Sequence, residues 1–264
     1  MENKHYVSIG CSYALLLDNL NYSHYKLNSF SQFGILEAIK SIKKNYENSI
    51  WIVGITQSSR LTKKIPEYIK KYPNYISNTE SDLEGGYKKI GADRFTSFIE
   101  IDEIVKEKND FPYLWWKNEK ETHYNKSIEQ HLKDYLSHIY EIQRELVNFE
   151  YKMFLMNNTF EGYFYNNSIL SHVYSNNTKY KTENLKNTQK LSDLFPNEWN
   201  RLDLSKFYFY QTDNFNYGGL DEFAIDNYPI NFFIDSEFRN IESPFGCHPN
   251  RIVQKDFIEK VIKL

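Results

Sequence analysis

The chain lacks most of the features that mark a specialised class. It has two cysteines in 264 residues, Cys11 and Cys247, too few for a disulfide scaffold. It has no excess of either charge: 32 Lys and Arg against 35 Asp and Glu leave −3. That balance argues against an electrostatic nucleic-acid binder and against a polybasic membrane-surface protein. No run of about 18 apolar residues is present, so no membrane span is expected. The polar start, Met1 to His5, leads into only a short apolar run. No signal peptide is read there, and the expectation is a cytoplasmic protein. A Gly-x-x-x-x-Gly-Lys loop is missing, which argues against P-loop nucleotide chemistry. Internal repeats and Gly/Ser linkers are missing too, so residues 1–264 are read as a single domain.

What the chain does have is aromatic side chains. Its 22 Tyr and 19 Phe help bring aromatics to 17% of the residues, within a hydrophobic total of 41%. Rings of that size supply a large burial area. A disordered chain would be poor in aromatics and strongly charged, and this one is neither.

Its periodicity is that of α/β wiring. His5 to Gly10 reads as a short strand ending in glycine. Residues 33–45 carry Ile35, Leu36, Ala38, Ile39 and Ile42 at helical spacing. Ser49 to Ile55 is a nearly continuous apolar run, suited to a strand buried on both faces of a parallel sheet. Residues 125–148 give the clearest helix, with Ile128, Leu132, Tyr135, Ile139, Ile142 and Leu146 on one stripe. Tyr151 to Met156 reads as the next buried strand, Ile230 to Ile234 as a last one, and Ile252 to Leu264 as a closing helix. Residues 75–123 and 157–200 are expected to be elaborations, the second a long polar surface excursion.

Three short segments bear on chemistry. Ile9-Gly10-Cys11-Ser12-Tyr13 puts a serine at the turn after the first strand, on the carboxyl edge where open α/β sheets bind ligands. Cys247-His248-Pro249-Asn250 puts an imidazole on a turn stiffened by proline. Gly54 to Arg60 puts Thr56, Gln57 and Arg60 after the apolar strand, where amides and hydroxyls can donate to a developing oxyanion and Arg60 can clamp an anion. Each also has a plain reading: a helix N-cap for Ser12, a surface or capping residue for His248, an ordinary turn for residues 54–60. His123, His131 and His138 fall two helical turns apart, and are read as solvated helix residues rather than metal ligands. No metal or cofactor is expected. Trp115-Trp116 reads as core packing ahead of a carbohydrate platform.

In this order, the three segments resemble the SGNH, or GDSL-like, hydrolase superfamily. Gly-Cys-Ser-Tyr near the start, a strand followed by Thr56-x-x-x-Arg60, and His248-Pro249 near the end are most similar to SGNH-like proteins of phage and other viruses. The resemblance implies a three-layer α/β/α, flavodoxin-like fold with a mainly parallel five-stranded sheet. It also implies a hydrolytic site in which Ser12 is the nucleophile and His248 the general base and acid. The Ser12 N–H, Thr56 and Gln57 would form the oxyanion hole, with Ser31 as a further donor and Arg60 binding substrate. The pattern departs from the family at its acid, since Phe245 and Gly246 stand before His248. Asp235, after the candidate last strand, is the substitute, and Glu242 a second. Gln57 stands where the family carries asparagine.

The function expected is therefore a serine ester hydrolase acting on an acyl or acetyl ester, such as an acylated carbohydrate. Two alternatives stay open. One is an SGNH-fold module without catalysis, binding a glycan or protein or serving in a virion. The other is an acyltransferase using the same Ser-His pair.

Overall fold

The computed structural model describes residues 5–10, 24–28, 32–55, 62–64, 95–97, 122, 125–161, 190–213, 215–228, 249 and 251–264. In chain order the elements are β1 (His5–Gly10), β2 (His24–Asn28), α1 (Gln32–Ile42), β3 (Ser49–Ile55), β4 (Thr62–Lys64), β5 (Phe95–Ser97), α2 (Ile128–Glu145), β6 (Tyr151–Leu155), β7 (Tyr210–Thr212), β8 (Phe215–Gly218), α3 (Leu220–Asn227) and α4 (Arg251–Phe257). Short helical turns at Leu191–Leu194 and Pro196–Trp199 lie between β6 and β7.

The fold is α/β around a parallel sheet. Its described strands run in the order β2-β1-β3-β6, and each neighbouring pair is parallel. Parallel strands need crossover connections, and α1 and α2 lie within two of them. Because helices pack on both faces, the strands read as unbroken apolar runs: every residue of β3 is buried. Alternate side chains then feed two cores. Val7, Ile9, Trp51, Val53, Ile55, Met153 and Leu155 pack with α1 and α2. Tyr6, Ile50, Ile52, Phe154 and Met156 pack with α3 and α4. Each fully buried aliphatic side chain contributes roughly 1.5–3 kcal/mol.

The long helix α2 follows from its stripe and its cap. Ser127 accepts the Gln130 N–H at 3.1 Å, and Leu132, Tyr135, Leu136, Ile139, Ile142 and Leu146 are buried. His138 is not a solvated residue as its spacing suggested. It is half-buried against Phe33, ring centroids 5.7 Å apart, and burial lowers its pKa.

Three elements differ from the pattern in the sequence. The strand β2 has no apolar run to announce it. The closing helix gives way to a π turn over Ile258–Ile262. The wider turn rotates the stripe, so Ile258 and Ile262 are fully buried while Val261 and Leu264 are only partly so. Within the supposed surface excursion, Asn158, Thr159, Phe160, Glu161, Leu191 and Phe195 are buried. Phe160 packs edge-on to Tyr135, Trp199, Phe207, Phe209 and Tyr217, which makes it the hub of an aromatic cluster.

Beyond β6 the sheet is met by Phe207 through one parallel bridge to Met153, with the Tyr208 N–H on the Met153 carbonyl at 2.8 Å. The expected last strand, Ile230 to Ile234, lies outside the described residues. Of the expected elaboration at 75–123, β5 is described; it pairs antiparallel with β4. Among the described residues, no helix is long and apolar enough to cross a membrane.

Candidate functional site at the carboxyl edge of the sheet

The strand order fixes where a ligand crevice belongs. The chain passes from β1 outward to β2, returns across β1 to β3, and continues outward to β6. The direction reverses between β1 and β3, and such a switch point opens a crevice at the carboxyl ends of the two strands. Ile9 pairs with Val53, so Gly10 lies beside Gly54. A Cβ on Gly10 would come within 3.1 Å of the Gly54 carbonyl oxygen, so glycine allows the two strand ends to close up.

Two of the segments singled out in the sequence follow the strands that end at this edge. Ser12 follows Gly10 by two residues, and Thr56 and Gln57 follow Ile55 directly. Ser31 precedes Gln32, the first residue of α1. The positions of Ser12, Ser31, Thr56, Gln57, Arg60, Asp235 and His248 themselves lie outside the described residues, as do Cys11 and Cys247.

The direction of α4 bears on His248. Near the start of β6, Lys152 Nζ donates to the Ile262 and Lys263 carbonyls, both at 3.0 Å. Further along β6, Phe154 meets Phe257 at 5.6 Å between ring centroids. The helix thus runs antiparallel to the strand, and its amino end faces the carboxyl edge. There Pro249 is buried, and Gln254 Nε2 donates to its carbonyl at 2.7 Å.

The sequence reading missed a buried polar cluster on the same edge. It joins the chain after β6 to the β8–α3 junction. Asn158 Nδ2 donates to Glu161 Oε2, and Glu161 Oε1 accepts the backbone N–H of Asn216 at 3.2 Å and its Nδ2 at 3.1 Å. Glu222 Oε2 accepts the Gly219 N–H at 2.8 Å, which caps α3, and the Glu222 carboxylate also accepts the Asn158 N–H. Thr159 Oγ1 donates to Asn157 Oδ1 at 2.7 Å and meets the buried Tyr135 hydroxyl, whose pKa burial pushes up. Asn158 is fully buried, and its Oδ1 has no partner.

Burial pushes the Glu222 carboxyl up to about 7, against the pull of the N–H donors; the nearby Glu161 charge adds to the rise. Among the described residues, no ion pair reaches either glutamate. The cluster is buried, and its hydrogen bonds tie the chain after β6 to the β8–α3 junction. One signal for it was in the sequence: Glu222 stands three residues after Gly219, the spacing of a cap that closes on its own N-terminus. Among the described residues, no three His, Cys, Asp or Glu side chains are grouped to hold a metal ion.

Compared with known proteins, the chain matches no family model, no curated protein and no solved structure.

Proposed function

We propose that the chain is a serine ester hydrolase of the SGNH type, acting on an acyl or acetyl ester such as an acylated carbohydrate. The fold would be three-layer and flavodoxin-like, with a fifth strand beside β6. One observation carries the reading. The strand order reverses between β1 and β3, and these are the two strands that Ser12 and Thr56-Gln57 follow. The antiparallel run of α4 supports it, because it brings Pro249, the neighbour of His248, toward the same edge.

In this reading Ser12 Oγ attacks the ester carbonyl as His248 takes its proton. The oxyanion is held by the Ser12 N–H and by Thr56 or Gln57, with Ser31 as a further donor. His248 then returns the proton to the leaving alcohol, and water repeats the sequence on the acyl-enzyme. Arg60 binds the substrate's polar end, and Asp235 is the acid supplied by the sequence to orient His248.

The test is hydrolysis of p-nitrophenyl acetate together with fluorophosphonate labelling read by mass spectrometry. The expected result is turnover, a label on Ser12, and loss of both in Ser12→Ala and His248→Ala. Full activity in Ser12→Ala would overturn the mechanism. The second reading, a binding module without catalysis, is favoured by Phe245 and Gly246 where an acid is expected. It predicts glycan or protein binding that Ser12→Ala leaves intact, with no turnover and no label.

A further inference from the structure

A groove of about 430 Å³ lies beside β6, within the size range of small-ligand sites. Its walls come from three places. Tyr208 and Phe209 belong to the stretch that bridges to Met153, Gln211 and Tyr217 to the β7–β8 hairpin, and Val261 and Lys263 to the π turn after α4 and its end. Tyr208, Phe209, Tyr217 and Val261 are half-buried, so part of each stays open to a ligand. Among the described residues, no acid lines the groove.

The backbone is unusual where it carries Lys263 to this groove. A π turn within a helix is rare and is found mostly at functional sites. This one ends at Lys263, which has φ 57° and ψ 58°. Among the described residues, no other residue except glycine takes a positive φ. A β-carbon is disfavoured there, and glycine is the usual residue at such a helix end. The chain carries lysine instead. Its ammonium enters no ion pair among the described residues. Glycine would make the better cap, and the free cation is what lysine adds.

The lining defines the chemistry of the ligand. The negative face of an aromatic ring attracts the polarised C–H groups on one side of a sugar ring. Phe209 and Tyr217 meet edge to face, centroids 5.1 Å apart and planes at 71°. They form a corner, not the parallel slot that would sandwich a planar base. Gln211 Nε2 donates to the Asn216 carbonyl at 3.2 Å, which leaves Oε1 to accept a hydroxyl. Lys263 supplies a cation, and Lys152, 4.6 Å from the Tyr208 ring centroid, adds positive charge nearby.

We propose that this groove binds an acidic saccharide, a sugar bearing a carboxylate. The sugar ring lies on the open aromatic faces, a hydroxyl meets Gln211, and the carboxylate meets Lys263. None of these residues belongs to the Ser12 site, so the proposal stands whether or not the chain hydrolyses esters.

The test is an NMR titration of the isotope-labelled full-length protein with D-glucuronate, D-glucose and benzoate. D-Glucuronate is expected to shift the amides of Tyr208, Tyr217 and Lys263. It is expected to bind about fivefold tighter than D-glucose, the worth of one exposed ion pair. Lys263→Gly is the deciding variant, because glycine accepts φ 57° without strain and the fold is kept while the cation goes. It is expected to keep the D-glucose response and to bring D-glucuronate down to it. No shift with D-glucuronate at tens of millimolar overturns the proposal. So does equal binding of the two sugars, a preference that survives Lys263→Gly, or tighter binding of benzoate, which would make the groove a site for planar anions. Shifts confined to the strand ends at Gly10 and Ile55 would place the sugar at the hydrolase site and overturn it too.

Discussion

Glu222 Oε2 accepts the backbone N–H of Gly219 at 2.8 Å, so the carboxyl that caps α3 is sealed inside the fold. It is 2% exposed, and burial raises its pKa from 4.5 to about 7. The raised value means the folded state binds this proton more tightly than the unfolded chain does. The group's contribution is therefore fully present below the ordinary carboxylate range and is lost as pH rises through about 7. Urea midpoints should fall from pH 5 to pH 8. Glu222→Gln keeps an acceptor for Gly219 without the charge, so its midpoint should change less over that range and exceed the parent's at pH 8. Equal pH slopes for the two proteins would remove Glu222 as the source.

Asn158→Asp tests the same cluster from the other side. Asn158 Nδ2 donates to Glu161, and an aspartate would set carboxylate against carboxylate where no water reaches. Like charges in a buried site oppose ionisation and destabilise the fold. The variant should lose several kcal/mol at pH 8 and recover part of it at pH 5. A loss independent of pH would mean that shape rather than charge is what the site requires.

Gly219 marks the closest approach of the β8–α3 junction to β6. A Cβ built there would lie 2.4 Å from the Leu155 carbonyl oxygen and 2.9 Å from the Asn157 nitrogen, both backbone atoms. Neither can swing aside as a side chain would. Gly219→Ala should therefore cost on the order of 1–3 kcal/mol or more, read as a lower urea midpoint with an unchanged slope. Unchanged stability would mean that the junction is free to shift.

Phe160 should be among the most costly positions to truncate. It is fully buried among five other aromatic rings, and Phe160→Ala should lose about 3–5 kcal/mol. Val147, 71% exposed, is the control, and Val147→Ala should stay within about 0.5 kcal/mol. Comparable losses at the two positions would contradict the placement of Phe160 at the hub.

Phe160 also shows where the sequence became unreadable. The strands β1, β3 and β6 and the helices α1 and α2 were legible because burial on one stripe or on both strand faces leaves a period in the apolar residues. Asn157 to Glu161 leaves none. Two of its buried polar groups are met from a distant segment: the Glu161 carboxylate by Asn216, and the Asn158 N–H by the Glu222 carboxylate. No local pattern records a partnership some 55 residues apart. In the sequence β2 has no apolar run, and its alternation, Tyr25 and Leu27 between His24, Lys26 and Asn28, spans only five residues. At the candidate site, the chain order placed Ser12, Thr56 and Gln57 after buried strands, and the sheet order added that their strands adjoin. The sequence could not give the direction of α4, which depends on Lys152 meeting the far end of that helix.

Lys152 reaches from β6 to the Ile262 and Lys263 carbonyls at the end of the π turn, and its ammonium lies 4.6 Å from the Tyr208 ring centroid. A cation at a helix C-terminus satisfies open carbonyls and complements the helix dipole, contributing about 0.3–1 kcal/mol, and more when partly buried. Lys152→Met preserves the packed stem and removes the charge. Global stability should fall by about 1 kcal/mol. Amide exchange at Lys263, whose N–H bonds the Ile258 carbonyl at 2.7 Å, should quicken far more than exchange at Phe257. Protection unchanged at Lys263 would mean that the π turn holds its own end, and Lys152 would then contribute packing alone.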